Sequence, residues 1–340
     1  MSDDYLWDRS GKPDPVVQRL ERTLGGLRHN RPAGEFPEAP RRRAIPSSRW
    51  RWGAALAAAS LLIVIGGVAA WIRSARPFFE VAKLEGAPRI GTSPIGPKGR
   101  LKVGEALETD GSSRARIDIA LIGQVDVDPD TRVGLVAAQA AEKRLSLERG
   151  TIHARIWAPP RLFFVDTPSA TAIDLGCAYT LTVDSTGAGL LRVTKGWVAF
   201  DLGDREAFVP EGALCATRPG SGPGTPYRED ATETLRRALA QLDFDGGAAA
   251  PGTRAAALGT VLEESRKQDA LTLWHLLTRT EGDERGRVFD RLAELVPSPE
   301  TVTREGILAG NPAMLDLWWN ELGLRSASFW RTWEGPWPRR

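Results

Sequence analysis

Ala115-Arg116-Ile117-Asp118-Ile119-Ala120-Leu121, followed by Gln124-Val125-Asp126-Val127-Asp128 and halted at Pro129, places an apolar residue at nearly every second position. A period of two is what a strand with one buried face requires, because successive side chains point to opposite sides. Pro129 has no N–H for a ladder and ends the run. The same alternation returns downstream in Leu145 and Leu147, Ile152, Phe164 and Val165, Leu181 and Val183, Leu191 and Val193, Val198 and Phe200. Turn signals separate these runs at Asp110-Gly111, Arg149-Gly150, Thr186-Gly187, Lys195-Gly196 and Glu211-Gly212. Many short strands at close intervals predict an all-β unit, a sandwich, barrel or solenoid, over residues 89–217.

Upstream of this unit, Gly53–Ile72 reads GAALAAASLLIVIGGVAAWI, twenty residues with no charge, Pro, Asn or Gln. As a helix it would measure about 30 Å, the thickness of a bilayer's hydrocarbon core. The expectation is a single transmembrane helix over 53–72, with Trp50, Trp52 and Trp71 anchoring it in membrane lipid at the headgroups. Arg41, Arg42, Arg43, Arg49 and Arg51 precede the segment; Arg73, Arg76 and Lys83 follow it. That bias puts the N-terminus in the cytoplasm and the body outside. Residues 73–88 read as a linker.

Residues 1–52 form a short head. Asp14-Pro15 is a good helix opening, an N-cap followed by Pro at the first helical position. Val17, Leu20, Leu24 and Leu27 follow as one narrow apolar stripe, which so short a helix cannot bury by itself. The stripe therefore reads as a partner-binding surface, and Arg31–Ser48, rich in Pro and Arg, as a tether. Beyond the β unit, residues 218–228 have the composition of a Gly/Pro linker. Residues 229–325 carry helical stripes (Leu235, Leu239, Leu242; Leu258, Val261, Leu262; Leu271, Trp274, Leu277; Val288, Leu292, Leu295). Ser298-Pro299 and Asn311-Pro312 resemble further helix starts, and Gly323 a stop. Residues 326–340 are a Trp- and Arg-rich tail. The whole chain thus reads as multidomain: head, transmembrane helix, all-β unit, all-α module.

The 45 basic and 43 acidic residues nearly cancel, so composition gives no case for direct nucleic-acid binding. Cys177 and Cys215 would close a loop of about 38 residues if an oxidising compartment lets them pair; otherwise they are two small buried hydrophobes. Three histidines, His29, His153 and His275, lack metal-ligand spacing, and no nucleophile elbow or HExxH motif occurs. Asp126, Asp128 and Asp130 lack the glycine and the closing glutamate of a calcium loop. The reading is a non-enzyme without metal or cofactor.

A resemblance adds to this. Leu107-Glu108-Thr109, Val125-Asp126-Val127-Asp128-Pro129, Leu145–Gly150, Phe164–Pro168, Asp174–Tyr179, Val193–Val198 and Val209–Gly212 follow one another in an order and spacing similar to the periplasmic domain of FecR-type proteins. These are membrane-anchored anti-sigma factors of the ferric-citrate regulator family. The chain departs from them in its short head, in Cys177 after Gly176, and in the region after the β unit. The resemblance implies a single-pass inner-membrane protein whose periplasmic β domain senses an envelope or outer-membrane protein partner. Its cytoplasmic head would hold an extracytoplasmic-function sigma factor. The competing reading is a structural scaffold of the cell envelope with no sigma-factor activity.

Overall fold

The computed structural model describes residues 14–26, 77–245 and 251–323. The chain divides into two compact units, Met1–Ala69 and Ala70–Arg340. Of the first, the described part is helix α1, Pro15–Gly25. Among the described residues no helix is long and apolar enough to cross a membrane. The longest run 14 residues, about 21 Å against the roughly 30 Å of a hydrocarbon core. This corrects two expectations: the transmembrane helix in the fold class and the single-pass inner-membrane placement. Gly53–Ile72, Trp50, Trp52 and Trp71 themselves lie outside the described residues, as does the tail 326–340.

The second unit is mostly β, with helices at its C-terminal end. Its strands are β1 Phe78–Glu85, β2 Arg89–Ile90, β3 Ser93–Pro94, β4 Lys98–Lys102, β5 Ala106–Glu108, β6 Arg114–Asp118, β7 Gly123–Val127 and β8 Arg132–Ala138. They continue with β9 Lys143–Ile156, β10 Phe163–Asp166, β11 Thr171–Asp174, β12 Ala178–Val183, β13 Gly189–Lys195, β14 Trp197–Leu202, β15 Arg205–Pro210, β16 Ala213–Arg218, β17 Gly222–Pro223 and β18 Tyr227–Arg228. One sheet runs β4-β1-β6-β7-β9-β12-β13-β16, with β17 and β18 both on β16. The other runs β3-β2-β5-β8-β9-β10-β11-β14-β15. Both sheets have open ends, so neither closes into a barrel.

Strand β9 belongs to both sheets. Its first half pairs with β8 and β10, its second with β7 and β12. Gly150 marks the transfer at φ +94, where a Cβ would collide with Thr131; only glycine takes that backbone without strain. The opening hairpin shows how the alternation makes the core. Ala115 faces Val127 and Ile117 faces Val125, all buried, while Arg116 faces Asp126 on the outer side.

Two stretches that read as linkers are part of the packed body. Within 73–88, β1 pairs with β4 and β6 and buries Phe79 and Val81. Within 218–228, Gly222 through Pro226 are buried. A Cβ on Gly222 would press on Leu202 and one on Gly224 on Phe244. These glycines serve close packing, which composition does not distinguish from flexibility.

The helices are α2 Glu233–Phe244, α3 Pro251–Glu264, α4 Ala270–Arg279, α5 Gly282–Leu295, α6 Arg304–Leu308 and α7 Pro312–Glu321. Asn311 caps α7, its Oδ1 accepting from Ala313 N at 3.0 Å and Met314 N at 3.4 Å. Ser298-Pro299 starts no helix; the chain turns there, and Thr303 caps α6 instead. Helix α4 is buried on all sides from Ala270 to Leu277. One continuous core runs from Phe79 in β1 to Trp319 in α7.

Candidate functional site

Helix α1 is built as the sequence dictates: Asp14 Oδ1 accepts from Val16 N at 2.7 Å, and Pro15 starts the first turn. None of its residues is buried. Val16, Leu20 and Leu24 are 67%, 55% and 54% exposed and form an uncovered stripe at four-residue spacing. Val17 beside them is half-buried, and Leu27 lies outside the described residues.

In the second unit a polar cleft of about 490 Å³ lies between the β14–β15 hairpin and helices α2, α3 and α4. At its base Asp243, 6% exposed, accepts from Thr225 N at 2.6 Å and from Thr225 Oγ1 at 3.0 Å. Arg205 Nη2 reaches the same carboxylate at 2.8 Å and Arg279 Nη1 at 3.4 Å. Arg279 also donates to the Glu206 carbonyl at 3.1 Å. Burial pulls the Arg279 guanidinium below its ordinary range, and the Asp243 charge opposes that shift. Arg254 stands at the side wall, held by Glu284 at 3.1 Å. Basic and acidic lining groups balance, so the cleft has no net preference for an anion or a cation.

An aromatic cluster closes the junction beside the cleft. The Trp319 ring lies 4.5 Å from Trp274, 5.9 Å from Trp197, 5.9 Å from His275 and 6.1 Å from Phe208, centroid to centroid. These residues come from β14, β15, α4 and α7, so the helices are packed onto the sheet by apolar contact and are not tethered beside it. His275 is 1% exposed. Its Nδ1–H donates to the Leu271 carbonyl at 2.9 Å, and its Nε2 accepts from Phe208 N–H at 3.0 Å. Those partners fix the neutral tautomer.

The outer face of the first sheet carries a cross-strand charge ladder. Arg116 grips Asp126 at 2.5 Å, Arg155 reaches the same carboxylate at 2.8 Å, and His153 bridges Asp128 at 2.8 Å and Thr180 at 2.9 Å. Asp126 is thus held by two guanidinium groups, and Asp128 by the Arg114 guanidinium at 3.6 Å and the His153 ring. Among the described residues no three His, Cys, Asp or Glu side chains converge as metal ligands.

Of the two readings open for Cys177 and Cys215, a disulfide or two buried thiols, the structure has the second: both are free and buried. Cys215 on β16 faces Leu191 on β13, which faces Leu181 on β12. Cys177 therefore lies two strands across and four residues along, roughly 16 Å away at ordinary strand spacing. A bridge needs Cα atoms within about 7 Å. Cys177 donates instead to Asp174 Oδ2 at 2.5 Å, and Cys215 to the Gly224 carbonyl at 3.2 Å. Burial drives the Cys177 thiol far above its usual range and Cys215 up to about 12, so both remain protonated thiols at neutral pH. Asp174, beside Cys177, is pushed up to about 7 by burial, opposed by hydrogen bonds from Cys177 and from Gly176 N.

Of the stripe read from sequence, Leu20 and Leu24 lie exposed on α1, with Val16 beside them in place of Val17; the junction has no counterpart in the sequence reading. Arg205, Thr225, Asp243 and Arg279 share no spacing, and only the tertiary fold brings them together. The one hint is a histidine and an arginine set in the apolar run of α4, Ala270–Arg279.

No family model and no curated protein matches the chain. Among solved structures it is similar to a "putative anti-sigma factor" from Parabacteroides distasonis at 15% identity and a TM-score of 0.33, covering 40% of this chain and 64% of that one. A second structure of the same description and organism gives 14% identity and a TM-score of 0.27, covering 48% of this chain and 65% of that one. The chain spans just under two thirds of each of these proteins.

Proposed function

We propose that the chain is a FecR-type regulator that holds a sigma factor through helix α1, with the β/α body as the unit that governs the hold. The observation that carries this reading is the stripe Val16, Leu20 and Leu24, more than half exposed on a helix that is capped at its start and buries nothing. An amphipathic helix of eleven residues is marginal alone and gains its stability by laying the stripe in a partner's groove. The family resemblance of the β unit supplies the kind of partner. The activity proposed is binding, with no catalytic step. The test uses full-length protein against a panel of purified sigma factors, with L20D/L24D as the variant. Two charges on the stripe should weaken capture at least about a hundredfold, since each places an unpaired carboxylate in an apolar contact. Equal capture by the native and variant proteins, or none by the native one, would remove the reading.

A further inference from the structure

The outer face of the first sheet is hollowed into a groove of about 590 Å³ that crosses β6, β7, β9 and β12. Pairing across the strands sets Asp126 opposite His153, His153 opposite Thr180, and Thr180 opposite Arg192 on β13. Residues directly opposite share a face, with Cβ atoms about 5 Å apart. The row is therefore continuous, and Asp128 joins it from two positions beyond Asp126.

At its centre His153 Nε2 lies 2.8 Å from Asp128 Oδ2, and Nδ1 lies 2.9 Å from Thr180 Oγ1. A carboxylate can only accept, so the ring proton sits on Nε2 and points at Asp128. Nδ1 then offers a lone pair, and the Thr180 hydroxyl donates to it. A hydroxyl, a base that can take its proton and a carboxylate that orients the base stand in line at hydrogen-bond distances. That is the arrangement of an activated nucleophile. His275 makes the contrast, with both ring nitrogens spent on backbone groups inside the core. The His153 side chain is 43% exposed, so the line is open to solutes in the groove.

Arg114, Arg116 and Arg155 line the groove against Asp126 and Asp128, three guanidinium groups to two carboxylates. The surplus cation favours a substrate that carries a negative charge. Arg192, ion-paired with Glu229, stands on the other side of Thr180 from His153. It puts positive charge near the oxygen where negative charge grows as an acyl carbon is attacked.

We propose that the groove is an acyl-transfer site that hydrolyses esters whose acyl part bears a carboxylate, with Thr180 as nucleophile, His153 as general base and Asp128 as a positioning residue. Thr180 Oγ1 bonds to the ester carbonyl carbon while its proton passes to His153 Nδ1. The bond from that carbon to the leaving oxygen breaks, and the Nδ1 proton goes to the departing alcohol. Water then attacks the acyl-threonine and gives a proton to Nδ1; the acid leaves, and the Thr180 oxygen takes that proton back. Ester and water become acid and alcohol, and the protein is unchanged. This activity is separate from the hold proposed for α1, and neither needs the other.

The test incubates full-length wild type, T180V, T180S, H153Q and D128N with the p-nitrophenyl monoester of succinate. Nitrophenolate release gives the rate, peptide mass after acid quench locates the acyl group, and far-UV circular dichroism establishes folding. Wild type should turn over and carry a succinyl group on Thr180. T180V should lose both, and T180S should keep both. H153Q should slow release at least about a hundredfold. D128N should lower kcat at least about tenfold with KM unchanged. No turnover by wild type, an acyl group found only away from Thr180, a rate that T180V leaves unchanged, or a kcat that D128N leaves unchanged overturns the proposal. Where T180V does not fold, H153Q decides: acylation of Thr180 at the wild-type rate overturns it.

Discussion

Asp174 is 1% exposed and shares its carboxylate between the Cys177 thiol and the Gly176 N–H. Burial lifts its pKa from 3.8 to about 7, so the folded protein binds this proton more tightly than the unfolded chain does. The resulting stabilisation is complete below about pH 4 and is lost as the pH rises through about 7. Thermal midpoints should therefore fall between pH 5 and pH 8, apart from other titrations. D174N, which keeps the shape and carries no charge, should flatten that slope and melt higher than wild type at pH 8. A slope unchanged by D174N would show that the carboxylate is not the group responsible. The neighbouring Gly176 stands at φ +87, and a Cβ on Gly196 would strike its carbonyl. The buried acid is therefore held by a turn that other residues fit poorly.

Among the elements, α7 has the greatest leverage for its length. Its ten residues deliver Trp318 against Phe289, with ring centroids 5.1 Å apart, and Trp319 into the junction cluster. The helix starts where Asn311 caps it and Pro312 fits the first turn. N311A should cost about 1 kcal/mol of stability, measured by urea unfolding. A loss below about 0.3 kcal/mol would mean that packing alone holds the helix start. Helix α1 poses the opposite case, a capped helix whose apolar stripe finds no cover among the described residues. Its pattern is legible because periodicity is local. The start of α6 at Thr303 instead of Ser298-Pro299 is a contest between two adequate caps, which tertiary packing decides.

For the whole second unit, the continuous core from Phe79 to Trp319 means that β sheets and helices stand or fall together. Strand-sensitive circular dichroism and tryptophan fluorescence should report one coincident unfolding transition. W319A should lower both signals together, by about 3–5 kcal/mol, because the ring touches β14, β15 and α4 at once. A helical module that melts ahead of the sheets would refute this. The sequence reading placed a flexible linker between the two, at 218–228. The structure buries its middle, Gly222 through Pro226, with Thr225 bound to Asp243 and the Pro226 carbonyl bound by Thr272 Oγ1 at 2.8 Å.

The alternation at Ala115–Asp128 determined the strands, the positions of their turns and which face of each is buried, since a period of two depends only on neighbouring residues. The caps at Asp14 and Asn311 and the helical stripes were equally local. Tertiary structure alone decided that β9 passes from one sheet to the other at Gly150, and that Cys177 and Cys215 lie too far apart to pair. It also decided that Arg205, Thr225, Asp243 and Arg279 meet at one carboxylate, and that α4 closes the edge of β15. These contacts join residues tens of positions apart, and no local period encodes which strand edge a distant helix will cover.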